Sequence, residues 1–195
     1  MKHTVKVTAI LLGLFILTQL IGLTIIQAYI NPEASQESKE VVYQSLPYNL
    51  ETPEIEQQTS FIYIMIAILI GTALVLVLMK FKKVGIWKTW LFLSVTICLG
   101  IALSPFINPY IALAMGIILA AIKVWKPNII VHNVTELFIY GGLAAFLVRI
   151  VNLPSMAILL LLIAIYDVIA VYKSKHMVKM AEFQTDAKLF SGLLV

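Results

Sequence analysis

Asp167 is the only ionisable acid in an otherwise apolar run from Ser155 to Tyr172, with Tyr166 before it and Val168-Ile169-Ala170-Val171 after it. An aspartate held in hydrocarbon costs about 2.5–3.5 kcal/mol on insertion scales. A residue kept at that cost is either paired or there to handle protons or water. At a helical rise of 1.5 Å per residue it lies about 9 Å inside Lys173, where water from that side can reach it. Folding the chain back at Asn152-Leu153-Pro154 puts Tyr140 level with Asp167 and Arg149 about 15 Å away along the axis. A salt bridge to Arg149 is therefore not expected. A hydrogen bond from Tyr140 or Tyr166 is the bland alternative to proton chemistry.

The remaining polar residues have ordinary explanations. Arg149, close to a turn, can snorkel to the interface. Glu136 follows Asn133 by three, the spacing of a capping box at a helix start. His132 lies near it, but His132-Asn133-Val134-Thr135-Glu136 is not the H-E-x-x-H zinc pattern. Cys98 is the single cysteine and stands inside an apolar run, so neither a disulfide nor a metal cluster is expected. Met177 and Met180 fit an apolar stripe. No metal and no cofactor is implied.

The elements that must position Asp167 follow from composition. Of 195 residues, 61% are apolar and 12% charged, more hydrocarbon than a soluble domain of this length can hide. Runs such as Ala157-Ile158-Leu159-Leu160-Leu161-Leu162-Ile163 do not alternate, which excludes a β-barrel and leaves helices. Six runs are expected to be transmembrane helices, at about 7–30, 60–79, 89–104, 110–124, 134–151 and 155–172, in one all-α membrane domain spanning 1–195. The third and fourth are short, and a re-entrant pair is the alternative to two crossings. Residues 31–59 carry six glutamates and three helix-breaking prolines and read as an exposed, mobile acidic loop. Residues 173–195 read as a polar tail.

The net charge of +4 does not point to nucleic acid, because no aromatic-and-basic patch accompanies it. The lysines sit between apolar runs, where headgroups would meet them. With the amino terminus cytoplasmic, every basic residue except Lys39 and Arg149 falls on an inward segment. This is the positive-inside pattern; it puts the 31–59 loop outside and residue 195 on the cytoplasmic side.

The stretch Tyr166-Asp167-Val168-Ile169-Ala170-Val171-Tyr172, continued by Lys173-Ser174-Lys175-His176-Met177, resembles the sixth-helix motif of the presenilin and signal peptide peptidase family, archaeal members in particular. The polar outer loop after the first helix and the closely spaced crossings extend the likeness along the chain. The resemblance implies an intramembrane aspartyl protease acting on transmembrane peptides, with Asp167 as one of two catalytic aspartates. It implies partner helices carrying a Gly-x-Gly-Asp motif and a Pro-Ala-Leu motif. Neither occurs in these residues, and the only other aspartate is Asp186. The chain thus resembles the amino-terminal part of the enzyme. By the same resemblance Leu193, Leu194 and Val195 lie near a stretch that engages extended substrate; Tyr166, next to Asp167, and Tyr140, level with it across the turn, are expected to adjoin the site.

Two carboxylates sharing one proton are what peptide hydrolysis by aspartates needs, one as base and one as acid. A lone carboxyl in a medium of low dielectric tends to be protonated and is a poor base. These residues alone are therefore expected to be inactive. Two other readings use the same features. A proton-coupled transporter would load Asp167 with Glu136 or His132 as relay, although no inverted repeat is evident. A non-catalytic assembly subunit would use Gly71, Gly141 and Gly142 for close packing with partner helices.

Overall fold

A computed structural model describes residues 4–187, 189, 192 and 193. It is all helical. In chain order the helices are α1 (Val5–Ala28), α2 (Pro32–Ser38), α3 (Ser60–Lys80), α4 (Val84–Leu103), α5 (Pro109–Trp125), α6 (Ile129–Leu147), α7 (Leu153–Val168) and α8 (His176–Asp186). A π-helical turn, Ile169–Lys173, continues α7. Five segments are long and apolar enough to cross a bilayer: α1, α3, α4, α6, and α7 with its π-turn. The sixth, α5, has 17 residues and is about 25 Å long, the lower limit for a crossing.

One local device recurs at the helix starts. Asn31, Asn108 and Asn152 each accept a hydrogen bond from a backbone N–H of the first turn, with a proline one or two residues later. The asparagine satisfies an orphan donor. The proline fixes φ where its missing N–H costs nothing. Asn128, preceded by Pro127, caps α6 through the Ile130 N–H at 2.8 Å.

Asn128 corrects the expected boundaries. The fifth apolar helix runs 129–147 rather than 134–151. Asn133 and Glu136 therefore lie inside it and do not form a capping box. Arg149 stands in the turn that follows. Part of the 31–59 segment, expected as an exposed acidic loop, forms local structure. Pro32 starts a helix instead of breaking one, and Asn31 and Gln44 donate to the carbonyls of Val42 and Tyr29, both at 2.8 Å. What the charge count obscured is the apolar set Tyr43, Leu46 and Leu50, which joins a core with Ile25, Tyr29, Ile101, Ala102 and Ala145. The tail likewise contains a helix, α8.

The chain divides into two compact units. One is drawn from the segments 1–51, 91–147 and 191–195, the other from 52–90 and 148–190. In the first, α1 packs along α6. Gly22 and Gly141 let their backbones approach, since a Cβ on Gly141 would collide with Ile25. A Cβ on Gly142 would strike the carbonyl of Cys98 on α4. These glycines therefore serve packing within the chain. Tyr29 at the end of α1 places its hydroxyl 2.7 Å from both the Ile101 carbonyl and Ser104 Oγ. The Tyr48 hydroxyl donates to the Pro109 carbonyl at 2.8 Å, and burial together with the neighbouring Tyr29 pushes its pKa up, which keeps it a donor.

In the second unit α3 lies against α7. Ser155, in the first turn of α7, donates to the carbonyls of Gln57 and Gln58, at 2.7 and 3.0 Å, so the start of α7 is tied to the segment that leads into α3. Large apolar side chains along the helices remain exposed, among them Phe15, Leu20, Ile70, Leu93, Leu160 and Leu161. Lipid is the medium that tolerates them.

Gly142→Ala is expected to destabilise the folded protein by about 1–3 kcal/mol, because the obstruction is backbone and cannot swing aside. At Gly71 a methyl group would meet no atom within 4 Å, so alanine should be accepted there without loss. Thermal unfolding of both variants in detergent checks the pair, and equal stability would contradict this packing.

Candidate active site

Asp167 occupies the penultimate position of α7, just before the helix widens. From Ile169 the backbone follows a π-turn, closed by the Ser174 N–H to the Ile169 carbonyl at 2.9 Å. Such turns are rare and concentrate at functional sites. The side chain is half-buried. Among the described residues no cation and no hydrogen-bond donor contacts its carboxylate. Neither a salt bridge nor a tyrosine hydrogen bond therefore accounts for the acid at this position.

Tyr166 is engaged elsewhere. Its hydroxyl lies 3.2 Å from Thr72 Oγ1 on α3 and 2.9 Å from His176 Nε2 at the start of α8. Tyr140 belongs to the other compact unit, on α6, where its hydroxyl interacts with Glu136. Of the expected site residues the second unit thus brings together Asp167 and Tyr166. Leu193 lies in the first unit, one residue beyond the Gly192 carbonyl that His132 contacts. Leu194 and Val195 lie outside the described residues.

Sequence reasoning missed a buried polar cluster between α5 and α6. Lys123, expected among the headgroups, turns inward instead. It, His132 and Glu136 are each 4% exposed, and Thr135 is 0% exposed. Lys123 Nζ lies 2.7 Å from Glu136 Oε1, 3.3 Å from Thr135 Oγ1 and 3.3 Å from His132 Nδ1. Thr135 donates its own hydrogen to the His132 carbonyl at 2.8 Å, so it can only accept from Lys123. His132 Nε2 lies 2.7 Å from the Gly192 carbonyl. A carbonyl accepts, so Nε2 carries the hydrogen and Nδ1 of the neutral ring accepts. An ammonium with three hydrogens meets three acceptors. That saturation makes the burial tolerable.

The signal for this cluster was Pro127-Asn128. A helix starting there puts Glu136 about 10 Å inside it, too deep for a cap. It also places His132 and Glu136 four apart on one face, 3.7 Å from each other. The acid of this cluster is held by a buried ammonium.

A family model described as signal-peptide peptidase, presenilin aspartyl protease matches residues 12–195. The chain belongs to this family. Membership bears on the geometry above, because the family's chemistry is peptide hydrolysis by aspartates within the membrane. The signal-peptide peptidase family reading makes the protein an integral membrane protein and agrees with its apolar helices. Comparison with curated proteins and with solved structures gives no significant match.

Glu136→Ala should cost about 3–5 kcal/mol by leaving the Lys123 charge buried without its counter-charge. Lys123→Met combined with Glu136→Leu should recover most of that loss. Thermal unfolding of the single and double variants measures the coupling. Additive losses would mean that the two side chains do not act as a pair.

Proposed function

We propose that the protein is an intramembrane aspartyl endopeptidase cleaving transmembrane segments or signal-peptide remnants, with Asp167 as one of its two catalytic carboxylates. The observation that carries this reading is the Asp167 carboxylate itself. It is half-buried in the last α-helical turn of an apolar span, free of cations and donors among the described residues, and followed by a π-turn. A carboxylate meant only for structure would be saturated, as Glu136 is.

The second carboxylate in this proposal comes from a Gly-x-Gly-Asp helix, a motif these 195 residues do not contain. When the two approach, their like charges cannot both persist at low dielectric, and one proton is shared between them. The ionised member takes a proton from water as that water attacks the scissile carbonyl carbon. The protonated member donates to the carbonyl oxygen, giving a neutral tetrahedral intermediate. Collapse of that intermediate returns a proton to the departing amine. Water enters from the cytoplasmic side, where the lysines following the π-turn lie in the positive-inside orientation. Tyr140, Leu193, Leu194 and Val195 are proposed as site-adjacent or substrate-contacting residues.

In the complete protein, Asp167→Ala is expected to insert normally and to cleave no transmembrane peptide. Undiminished cleavage by that variant removes the assignment. The 195 residues by themselves are expected to leave the same peptide intact, and a purified preparation that cuts it would show that no Gly-x-Gly-Asp helix is needed. For orientation, single cysteines replacing Glu33 and Lys179 in a Cys98→Ser background should react with a membrane-impermeant maleimide from opposite faces. Labelling of both from the same face would overturn the topology.

A further inference from the structure

Beside Asp167, three hydroxyls and an imidazole form a hydrogen-bonded line across α3, α7 and α8. Each hydroxyl has one hydrogen to place, and this constrains the whole line. Thr72 donates its hydrogen to the Ile68 carbonyl at 2.9 Å, so towards Tyr166 it only accepts. Tyr166 therefore donates to Thr72 Oγ1, and its single hydrogen is committed. His176 Nε2, 2.9 Å from the Tyr166 oxygen, must then carry the N–H. The other ring nitrogen lies 2.6 Å from Ser174 Oγ. Ser174 Oγ also sits 3.1 and 3.4 Å from the carbonyls of Ile169 and Ala170, both within the π-turn.

The line thus closes over the π-turn that separates Asp167 from α8. The rings of Tyr166 and His176 also face each other at 5.7 Å, inclined at 50°. A tyrosine hydroxyl held from both sides pins the far end of its side chain. The helical turn that carries it is then held against α3, and the next residue in that turn is Asp167.

We propose that His176 is a positioning residue for the proteolytic reaction. Its Nε2–H holds the Tyr166 hydroxyl against Thr72 and so fixes the direction in which α7 presents Asp167. The role rests on Asp167 being catalytic. Nothing in it requires His176 to touch substrate or to exchange a proton during turnover.

The test measures cleavage of a transmembrane peptide by the complete protein in detergent-lipid micelles, with each variant normalised to its folded fraction. His176→Ala should lower kcat about fivefold to tenfold with KM unchanged, the effect of one hydrogen bond to an aligned group. His176→Gln, whose amide nitrogen reaches the Nε2 position, should retain most of the activity. His176→Asn reaches only the Nδ1 position and should behave like alanine, which keeps the comparison available if alanine lowers the yield of folded protein. His176→Ala added to Tyr166→Phe should cause little further loss, because the hydroxyl that His176 holds is already gone. Full kcat in both His176→Ala and His176→Asn, equal loss in the glutamine and asparagine variants, or losses that multiply with Tyr166→Phe would each overturn the role. Asp167→Asn in the same assay separates the two levels. If it cleaves normally, the catalytic assignment of Asp167 falls. If it is inactive while His176→Ala and His176→Asn are unimpaired, only the positioning role falls.

Discussion

Ionisable groups in a helical membrane protein must be saturated by other groups, reached by water, or absent, and this constraint organises the molecule. Hydrocarbon offers no hydrogen bonds, so each uncompensated charge weighs directly against insertion. The chain answers it in two opposite ways. Lys123 is surrounded by three acceptors, one of them an acid, and every hydrogen it carries has a partner. Asp167 has none among the described residues. The first arrangement holds structure together. The second leaves a carboxylate available, which is the condition for acid–base chemistry at that atom.

Availability has to be reconciled with direction. A helix end is a mobile place for a side chain, and a π-turn loosens it further by replacing the normal hydrogen-bond ladder. Around Asp167 this is offset by ties to other helices rather than by bonds to the carboxylate. Tyr166 is joined to Thr72 on α3 and His176 on α8, and Ser155 ties the far end of α7 to the residues leading into α3. The helix is held at both ends while the acid stays open.

Small residues set how closely the helices approach. Without a hydrophobic force between helices in lipid, close backbone contact supplies the attraction. Gly141 and Gly142 serve that purpose towards α1 and α4. The segment after α1 adds a second layer. Tyr29, Tyr43, Leu46 and Leu50 form an apolar patch that folds the 31–50 stretch back on the ends of α1 and α4.

Much of the fold was legible because lipid imposes a coarse rule. Long apolar runs must be helices, and the runs at 60–79 and 155–172 correspond to α3 and to α7 with its π-turn nearly residue for residue. Asp167 stood out for the same reason, since one acid in hydrocarbon is conspicuous without any coordinates. Hydropathy could not say which way a flanking charge turns. Lys123 reads as a headgroup lysine in one dimension, and only the facing surface of α6 gives it Glu136, Thr135 and His132. The start of α6 at Ile129 was encoded by Pro127-Asn128, a cap outweighed by the apolar run beginning later. The order in the 31–59 segment depended on a few aromatic and aliphatic residues whose burial no count of glutamates reveals. The sequence by itself determined that this chain lives in a membrane and that Asp167 is its exceptional residue, because insertion cost is a property of residue type and run length. Which polar groups are saturated and which stay open was decided by tertiary structure alone, because a hydrogen bond between helices depends on facing side chains that linear spacing does not specify.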